Sequence, residues 1–255
     1  MPDWSAQQYL KFEDQRSRPA RDLAAQIPLQ DARRIYDLGC GPGNSTEILR
    51  ARYPDAELLG VDSSPDMLTK ACARLPGVTF VQGDLETWTP PAGVDVLYSN
   101  ATFQWVRDHL MVLERLLASL PEGGVLAVQM PDNSEEPSHA LLREVAARAP
   151  FAQLLASANI IRDGLPPVPV YYDRLRPRCR AFDIWHTLYE HPIDGAGGIV
   201  EWFKGSRLRP YLDALKDRSA DFLDAYTAEI AKAYPKQYDG KCLLRFPRLF
   251  IVAVR

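Results

Sequence analysis

The fold is decided by the stretch Tyr36-Asp37-Leu38-Gly39-Cys40-Gly41-Pro42-Gly43-Asn44-Ser45-Thr46. The residues at 34–38 predict a buried strand, and those from Ser45 to Tyr53 predict a helix with Asn44 or Ser45 near its N-cap. Between them lies a Gly-x-Gly-x-Gly turn. Because glycine permits positive φ and lets a ligand approach the backbone closely, the turn predicts a binding site. The candidate contacts from this stretch are Asp37, Gly39, Gly41, Gly43 and Asn44.

Two classes of ligand suit such a turn, a dinucleotide and S-adenosylmethionine. A dinucleotide places a pyrophosphate over the turn and the helix N-terminus, and the carboxylate of Asp37 would repel it. S-adenosylmethionine has no phosphate and carries an ammonium and a sulfonium, which a carboxylate favours. The spacing also differs from the dinucleotide fingerprint Gly-x-Gly-x-x-Gly. Both features favour S-adenosylmethionine as the cofactor.

Two further acids follow predicted strands. Asp62 ends the strand at 57–62, 23 residues after Gly39, and a carboxylate about 20 residues beyond the turn accepts hydrogen bonds from ribose hydroxyls. Asp84 follows the strand at 78–81 and can accept the adenine amino proton. The alternative for each acid alone is a surface turn residue or a helix cap, but three acids at the ends of three successive strands favour a cofactor site. The expected lining of the adenine is Ser63, Met67 and Leu85.

The chain alternates strands and helices through residue 130, with further strands at 94–99 and 125–130 and a helix at about 108–119. This rhythm predicts an α/β fold with a parallel sheet, whose ligands bind at the carboxyl ends of the strands. Residues 5–26 predict one or two leading helices, interrupted near Pro19. We expect one domain over residues 1–255. Within it, about 131–233 includes a mostly helical cap insertion over the strand ends, with strand-like alternation at 181–190 and a last strand at 249–254.

Bulk properties exclude several classes of protein. The formal net charge of −3 gives no field that would attract nucleic acid. No stretch has the length of a signal peptide or a membrane span, so we expect a cytoplasmic protein without membrane or protein partners. The four cysteines have no zinc-ligand spacing, and we expect free thiols and no metal: Cys40, Cys72, Cys179 and Cys242.

These residues resemble the class I S-adenosylmethionine-dependent methyltransferases, in which Asp37 to Gly43 correspond to the first motif, Asp62 to its acidic partner and Asp84 to the adenine-side acid. A narrower resemblance, to the family of trans-aconitate methyltransferases, covers nearly the whole chain. It implies a Rossmann-like, seven-stranded, mainly parallel sheet with an antiparallel last strand, and methylation of a trans-aconitate carboxylate to a monomethyl ester. The segments that carry it are Asp3-Trp4, Arg16-Ser17-Arg18-Pro19, Asp37 to Thr46, Asp62 to Pro65, Gln104-Trp105, Val125 to Asn133, Leu208-Arg209-Pro210 and Phe246 to Ala253.

A carboxylate acceptor needs no general base, because a carboxyl group with a pKa of about 4 is already ionised at neutral pH. The enzyme must only bind, align and partly desolvate the reactants. No catalytic residue is therefore expected, and the histidines are expected to be surface or packed residues: His109, His139, His186 and His191.

A polycarboxylate acceptor needs cations, of which arginine is best because it binds carboxylates bidentately. Asn100 ends the fourth strand and could contact the methionine part of the cofactor or the acceptor. Gln104 and Trp105 could wall the acceptor pocket. The candidates from the leader, the cap and the last strand are Arg16, Arg18, Tyr171, Tyr172, Arg207, Arg209, Arg245 and Arg248.

Other functions remain open from the sequence. They are an N- or C-methyltransferase acting on another metabolite, a nicotinamide-dependent oxidoreductase, which Asp37 disfavours, and a protein that binds S-adenosylmethionine without catalysis. A nucleic-acid methyltransferase is disfavoured because no Asn/Asp-Pro-Pro-Tyr element follows the fourth strand.

Overall fold

A computed structural model describes residues 13–156, 158, 160 and 164–255. Its single sheet has seven strands in the order β3-β2-β1-β4-β5-β7-β6. Strands β1 to β5 are parallel, and β7 runs antiparallel to both β5 and β6. The strands are β1 (Arg34–Leu38), β2 (Glu57–Asp62), β3 (Thr79–Gln82), β4 (Val96–Asn100), β5 (Val125–Pro131), β6 (Ala181–Ile193) and β7 (Cys242–Val254).

The helices connect these strands and make up most of the region between β5 and β7. The prediction of a Rossmann-like α/β fold with a seven-stranded, mainly parallel sheet is confirmed. The helices are α1 (Glu13–Ala25), α2 (Asn44–Arg52), α3 (Pro65–Arg74), α4 (His109–Ser119), α5 (Pro137–Ala146), α6 (Phe151–Leu155), α7 (Val168–Leu175), α8 (Gly195–Lys204), α9 (Arg209–Leu215) and α10 (Ser219–Ala233).

Alternation along β1 explains why the sheet is covered on both faces. Ile35 belongs to one hydrophobic cluster, whereas its neighbour Tyr36 belongs to the other. The first cluster includes Leu23 of α1 and Phe222 of α10, and the second includes Leu113 of α4. Each such side chain stabilises the fold by about 1.5–3 kcal/mol when it is fully buried. The sheet is therefore held from both sides, and its strand ends are left to form the site.

The leading helix differs from the prediction. Pro19 does not interrupt it, because α1 runs through Pro19 to Ala25. A proline inside a helix costs about 3 kcal/mol. Packing offsets this cost, since Leu23 and Ala24 are buried against the first cluster and the Tyr98 hydroxyl donates to the Ala20 carbonyl at 2.7 Å.

The last strand is longer than predicted. It begins at Cys242 rather than Leu249, and it pairs with β6 along all of its length. The predicted strand at 181–190 likewise extends to Ile193. The prediction missed residues 242–248. This stretch contains Arg245, Pro247 and Arg248, whose residue types do not show the alternation of buried and exposed positions that the structure has there.

The chain leaves the sheet twice after β5. Helices α5 to α7 lie between β5 and β6, and α8 to α10 lie between β6 and β7. Strand β6 itself belongs to the sheet, so the region 131–233 combines helical segments with one edge strand.

No helix among the described residues is long and apolar enough to cross a membrane. The four cysteines are free thiols, as predicted.

Candidate active site

The glycine turn after β1 has the backbone conformation that the sequence predicted. Gly39, Gly41 and Gly43 have φ values of 73°, 53° and 90°, which only glycine adopts without strain. A Cβ atom on Gly39 would also collide with the side chain of Thr102. The turn therefore places backbone atoms without side chains at the carboxyl end of β1, where a ligand can approach them closely.

Asp62 ties this turn to the end of β2. Its two carboxylate oxygens accept hydrogen bonds from the backbone N–H groups of Gly41 and Ser64, each at 2.9 Å. Burial raises the pKa of Asp62, although these hydrogen bonds oppose the shift. A carboxylate oxygen has more than one lone pair, so Asp62 retains capacity to accept from ribose hydroxyls.

A cavity of about 460 Å³ opens beside this turn, and we call it the cofactor cavity. Seven predicted cofactor residues line it: Gly39, Gly41, Asp62, Ser63, Met67, Asp84 and Leu85. The other lining residues were not predicted as cofactor contacts, and most come from the loops after β3 and β4, the turn before α9 and α9 itself: Pro42, Gly83, Glu86, Ala101, Thr102, Trp105, Val106, Ser206, Arg209, Pro210 and Asp213. Arg209 was predicted to bind the acceptor but lies here instead.

Asp84 lies at the edge of the cofactor cavity. One of its carboxylate oxygens accepts the backbone N–H of Glu86 at 3.0 Å. This bond orients the carboxylate within the loop after β3, and the side chain remains exposed. The adenine role of Asp84 stays a prediction.

Asp37 lies behind the turn and does not line the cavity. It is fully buried, and its Oδ2 accepts hydrogen bonds from the hydroxyls of Ser45 at 2.6 Å and Thr46 at 2.7 Å. Its Oδ1 has no hydrogen-bond partner within the described part of the chain. Burial raises the pKa of Asp37 to about 6, and the two hydroxyls oppose that shift. Gly43 and Asn44 also lie outside the cavity wall, at the start of α2.

A second cavity adjoins the first, and we call it the acceptor cavity. The two cavities share three wall residues, Ala101, Trp105 and Ser206. Trp105 was predicted to wall the acceptor pocket, and it lines both cavities. Asn100, predicted as a contact of the methionine part or of the acceptor, lines this cavity. The remaining lining residues are Gln104, Pro131, Asp132, Asn133, Ser134, His139, Gly164, Leu165, Trp202, Phe203, Arg207, Phe246 and Arg248.

Two arginines give the acceptor cavity its positive charge. Arg207 follows α8, and burial lowers its pKa, with a smaller contribution from nearby Arg143. Arg248 lies on β7 and is 2% exposed. Its guanidinium carbon lies 4.7 Å from the ring centre of Phe246, within the range of a cation–π contact. Both can bind carboxylates.

Several predicted acceptor residues lie elsewhere. Arg18 is exposed, 5.2 Å from the ring of Tyr189 and 3.9 Å from Asp22. Arg245 pairs with Glu136 at 3.3 Å. The backbone of Arg16 lies in α1, and its side chain falls outside the described part of the structure.

The two candidate tyrosines of α7, Tyr171 and Tyr172, do not line either cavity. Tyr171 is buried in the second cluster, and its hydroxyl lies 2.6 Å from Nε2 of His109. Tyr172 is largely exposed and packs edge-on against Phe182. Tyr171 thus joins α7 to α4 in this structure.

One histidine–acid pair was missed by sequence reasoning. His186 on β6 lies 2.7 Å from the carboxylate of Asp132, the one described acid that lines the acceptor cavity. Neither residue carries a local signal, because 54 residues separate them and β7 lies between their strands. The described residues contain no cluster of side chains suited to a metal ion.

The cofactor cavity fits S-adenosylmethionine. Four acids and one arginine among the described residues line it: Asp62, Asp84, Glu86, Asp213 and Arg209. This excess of negative charge opposes a pyrophosphate and favours a cationic ligand. The buried, unpartnered oxygen of Asp37 additionally suits an ammonium, reached directly or through water. The residues therefore match the cofactor that the sequence predicted.

Comparisons with known proteins show the family and the fold of this chain. A methyltransferase domain profile matches residues 35–124. The trans-aconitate 2-methyltransferase of Afipia carboxidovorans is 60% identical over 256 residues, covering 100% of both chains. Its namesake from Agrobacterium fabrum is 54% identical, covering 99% of each. The crystal structure of the YcgJ protein from Bacillus subtilis shares the fold, with a TM-score of 0.60 and 14% identity over 93% of this chain and 98% of that one. This chain belongs to the trans-aconitate 2-methyltransferase family of S-adenosylmethionine-dependent methyltransferases.

Proposed function

We propose that this protein methylates a carboxylate of trans-aconitate and releases a monomethyl ester and S-adenosylhomocysteine. The observation that carries the proposal is the acceptor cavity, which contains Arg207 and Arg248 and shares a wall with the cofactor cavity. Two guanidinium groups suit an acceptor with several carboxylates. The relatives named for this acid, which match the full chain, support the same acceptor.

The chain's contribution is binding and alignment. S-adenosylmethionine, when bound, supplies an electrophilic methyl group on a positively charged sulfur. An acceptor carboxylate oxygen forms a bond to that carbon as the carbon–sulfur bond breaks, and the electron pair stays on sulfur. No proton moves. Holding the two reactants in line across the shared wall of Ala101, Trp105 and Ser206 removes the entropic cost of their encounter.

The reacting carboxylate should lie away from the arginines. A guanidinium bound to it would stabilise its charge and reduce its reactivity, so we place Arg207 and Arg248 on the carboxylates that are not methylated. Near the shared wall, Oδ1 of Asn100 and Oε1 of Gln104 are buried and lack hydrogen-bond partners among the described residues. They accept and do not donate, and hence leave the acceptor's lone pairs available.

The helical segments within 131–233 form the outer part of this arrangement. Asn133, His139, Trp202 and Arg207 come from them and line the acceptor cavity. We therefore propose that these segments act as a cap over the carboxyl ends of the strands, which excludes water from the reacting pair.

The proposal is tested by measuring S-adenosylhomocysteine release with trans-aconitate, cis-aconitate, citrate and isocitrate, each against a reaction without acceptor. We expect strong turnover with trans-aconitate and much weaker turnover with the other three. S-adenosylhomocysteine binding without turnover on any of the acids would refute this acceptor and leave the cofactor assignment standing.

A further inference from the structure

His139 is a buried residue of the acceptor cavity to which the proposed reaction gives no role. It is the third residue of α5, is 6% exposed and lines the cavity together with Arg207. Phe203 packs against it with ring centres 5.0 Å apart at an angle of 86°. The imidazole is thus held in one place beside a cation.

Only one edge of the imidazole is bonded. Nδ1 lies 3.3 Å from the hydroxyl oxygen of Ser138. Nε2 has no hydrogen-bond partner in the described part of the chain. Because His139 lines the acceptor cavity, a nitrogen that no described protein atom bonds can bind a ligand there.

The neighbouring serine is fixed and can set the tautomer. The Ser138 N–H donates to the Tyr234 hydroxyl at 3.0 Å, and the Tyr226 hydroxyl donates to the Ser138 carbonyl at 2.8 Å. The Ser138 hydroxyl also interacts with the Tyr234 hydroxyl, and it lies within hydrogen-bond distance of Nδ1 of His139, to which we assign it as the donor. The proton of the neutral ring then lies on Nε2, the unbonded edge.

The surroundings keep this ring uncharged. Burial lowers the pKa of His139 to about 3, and the positive charges of Arg207 and Arg143 contribute to the shift. At neutral pH His139 can therefore donate one hydrogen bond without adding a third cation. A further cation would compete for the carboxylate that must stay reactive.

We propose that His139 is a specificity-determining residue, whose Nε2–H binds, together with Arg207, one acceptor carboxylate that is not methylated. The inference rests on the proposed function. An acceptor without that carboxylate leaves Nε2 of His139 without a hydrogen-bond acceptor and is selected against for that reason. Donors from α5 and from the turn after α8 together fix the rotation of the carboxylate, which aims the reacting carboxylate at the cofactor cavity.

The test compares His139→Phe, which removes the donor, with His139→Gln, which keeps one. Steady-state kinetics with trans-aconitate give KM and kcat, and calorimetry gives the affinity for S-adenosylhomocysteine. We expect His139→Phe to raise the acceptor KM about tenfold or more, the usual effect of losing a hydrogen bond to a charged group. The His139→Gln enzyme should stay within about threefold of the wild type. Both should bind S-adenosylhomocysteine normally.

Three dicarboxylates, each lacking one carboxylate of trans-aconitate, identify the one that is bound. Glutaconate, itaconate and mesaconate are tested as competitive inhibitors, so turnover is not required. The inhibitor that lacks the recognised carboxylate should bind wild type and His139→Phe equally, while the other two should bind the variant more weakly. An equal loss for all three, or a loss of S-adenosylhomocysteine affinity, would reduce His139 to a structural residue and overturn the inference.

A milder variant keeps the test valid if His139→Phe does not fold. Ser138→Ala leaves the imidazole in place and removes the hydroxyl that fixes its tautomer, and it should raise the acceptor KM about two- to threefold. An unchanged KM in every folded variant contradicts the inference. Absence of wild-type turnover on trans-aconitate contradicts the proposed function instead, and the two failures are thereby distinguished.

Discussion

Arg248 donates a hydrogen bond from Nη1 to Oε1 of Gln129 at 3.2 Å, and both residues are buried. The two side chains come from neighbouring antiparallel strands, β7 and β5. Gln129 does not line the acceptor cavity, but it holds a guanidinium that does. Its amide nitrogen has no partner within the described residues. We therefore predict that Gln129 positions Arg248 for acceptor binding.

Replacing Gln129 tests this role. Gln129→Leu should raise the acceptor KM about fivefold, because the guanidinium of Arg248 loses a hydrogen bond worth about 1 kcal/mol. Gln129→Glu should raise it further, since a buried carboxylate would neutralise Arg248 and compete with the acceptor. Kinetics at saturating cofactor measure both effects. An unchanged KM in Gln129→Glu would show that Arg248 does not bind the acceptor.

Two arginines separated by a single residue should affect different ligands. Arg207 lines the acceptor cavity and Arg209 lines the cofactor cavity, with the buried Leu208 between them. Arg207→Ala should raise the acceptor KM about tenfold or more, the scale of a lost charge-assisted contact, without changing S-adenosylhomocysteine affinity. Arg209→Ala should weaken S-adenosylhomocysteine binding and spare the acceptor KM.

Each variant is the control for the other, because both remove one positive charge from the same turn. Calorimetry with S-adenosylhomocysteine and steady-state kinetics with trans-aconitate separate the two effects. If both variants changed the same parameter by the same factor, the division of the turn between two cavities would be wrong.

Cofactor binding should depend on the ionisation of Asp37. Its pKa is raised to about 6, so it is mostly ionised at pH 7 and mostly protonated at pH 5. Only the ionised form attracts the ammonium of the cofactor. We expect the affinity for S-adenosylhomocysteine to rise from pH 5 to pH 7 and to level off above that.

5′-Methylthioadenosine separates this effect from the other acids, because it keeps the nucleoside but lacks the ammonium. Its affinity should show no increase attributable to Asp37, while any contribution from Asp62 would remain. Calorimetric titrations of both ligands between pH 5 and 8 make the comparison. Parallel pH profiles for the two ligands would exclude Asp37 as the partner of the ammonium.

Asp37 should also lower the stability of the ligand-free protein. Its folded pKa of about 6 lies above its ordinary value of 3.8, so ionisation disfavours the folded state. The stability that comes with the bound proton is present below pH 3.8 and is lost as the pH rises through 6. At pH 7, Asp37→Asn should raise the free energy of unfolding by up to about 3 kcal/mol.

Urea unfolding of both proteins without ligand, at pH 7 and near pH 4, measures this difference. The gain should shrink at the lower pH, because the wild-type carboxyl is then protonated in the folded state, where its pKa is about 6, and no charge is buried. The same variant should bind S-adenosylhomocysteine more weakly. A variant that is less stable at pH 7 would show that the hydroxyls of Ser45 and Thr46 outweigh the cost of burying the charge.

The cofactor side of the site could be predicted from the sequence because its parts are local. The glycines of the turn, Asp62 and Asp84 each follow a strand directly, and parallel strands bring their carboxyl ends to one edge of the sheet. Once the strands were recognised, the positions of these residues followed. The sequence also showed that the ligand of this turn should be cationic, since Asp37 stands beside it.

The acceptor side depended on contacts that no local pattern encodes. His139, Trp202 and Arg207 come from different helical segments and meet only when those segments pack over the sheet. The sequence suggested six arginines for this role, and the structure brings two of them to the acceptor cavity. Arg18 and Arg245 instead pair with neighbouring acids.

The sequence by itself thus determined the fold class, the cofactor and two of the acids that line its cavity, Asp62 and Asp84, because strand patterns and the residues at strand ends act over short distances. The tertiary structure alone decided which residues of the helical segments line the acceptor cavity and that Arg207 and Arg209 line different cavities. The physical reason is that packing between segments far apart in the chain sets the burial of a side chain, its distance from other charges and its direction. Within one turn of backbone, Arg207 therefore lines one cavity and Arg209 lines the other.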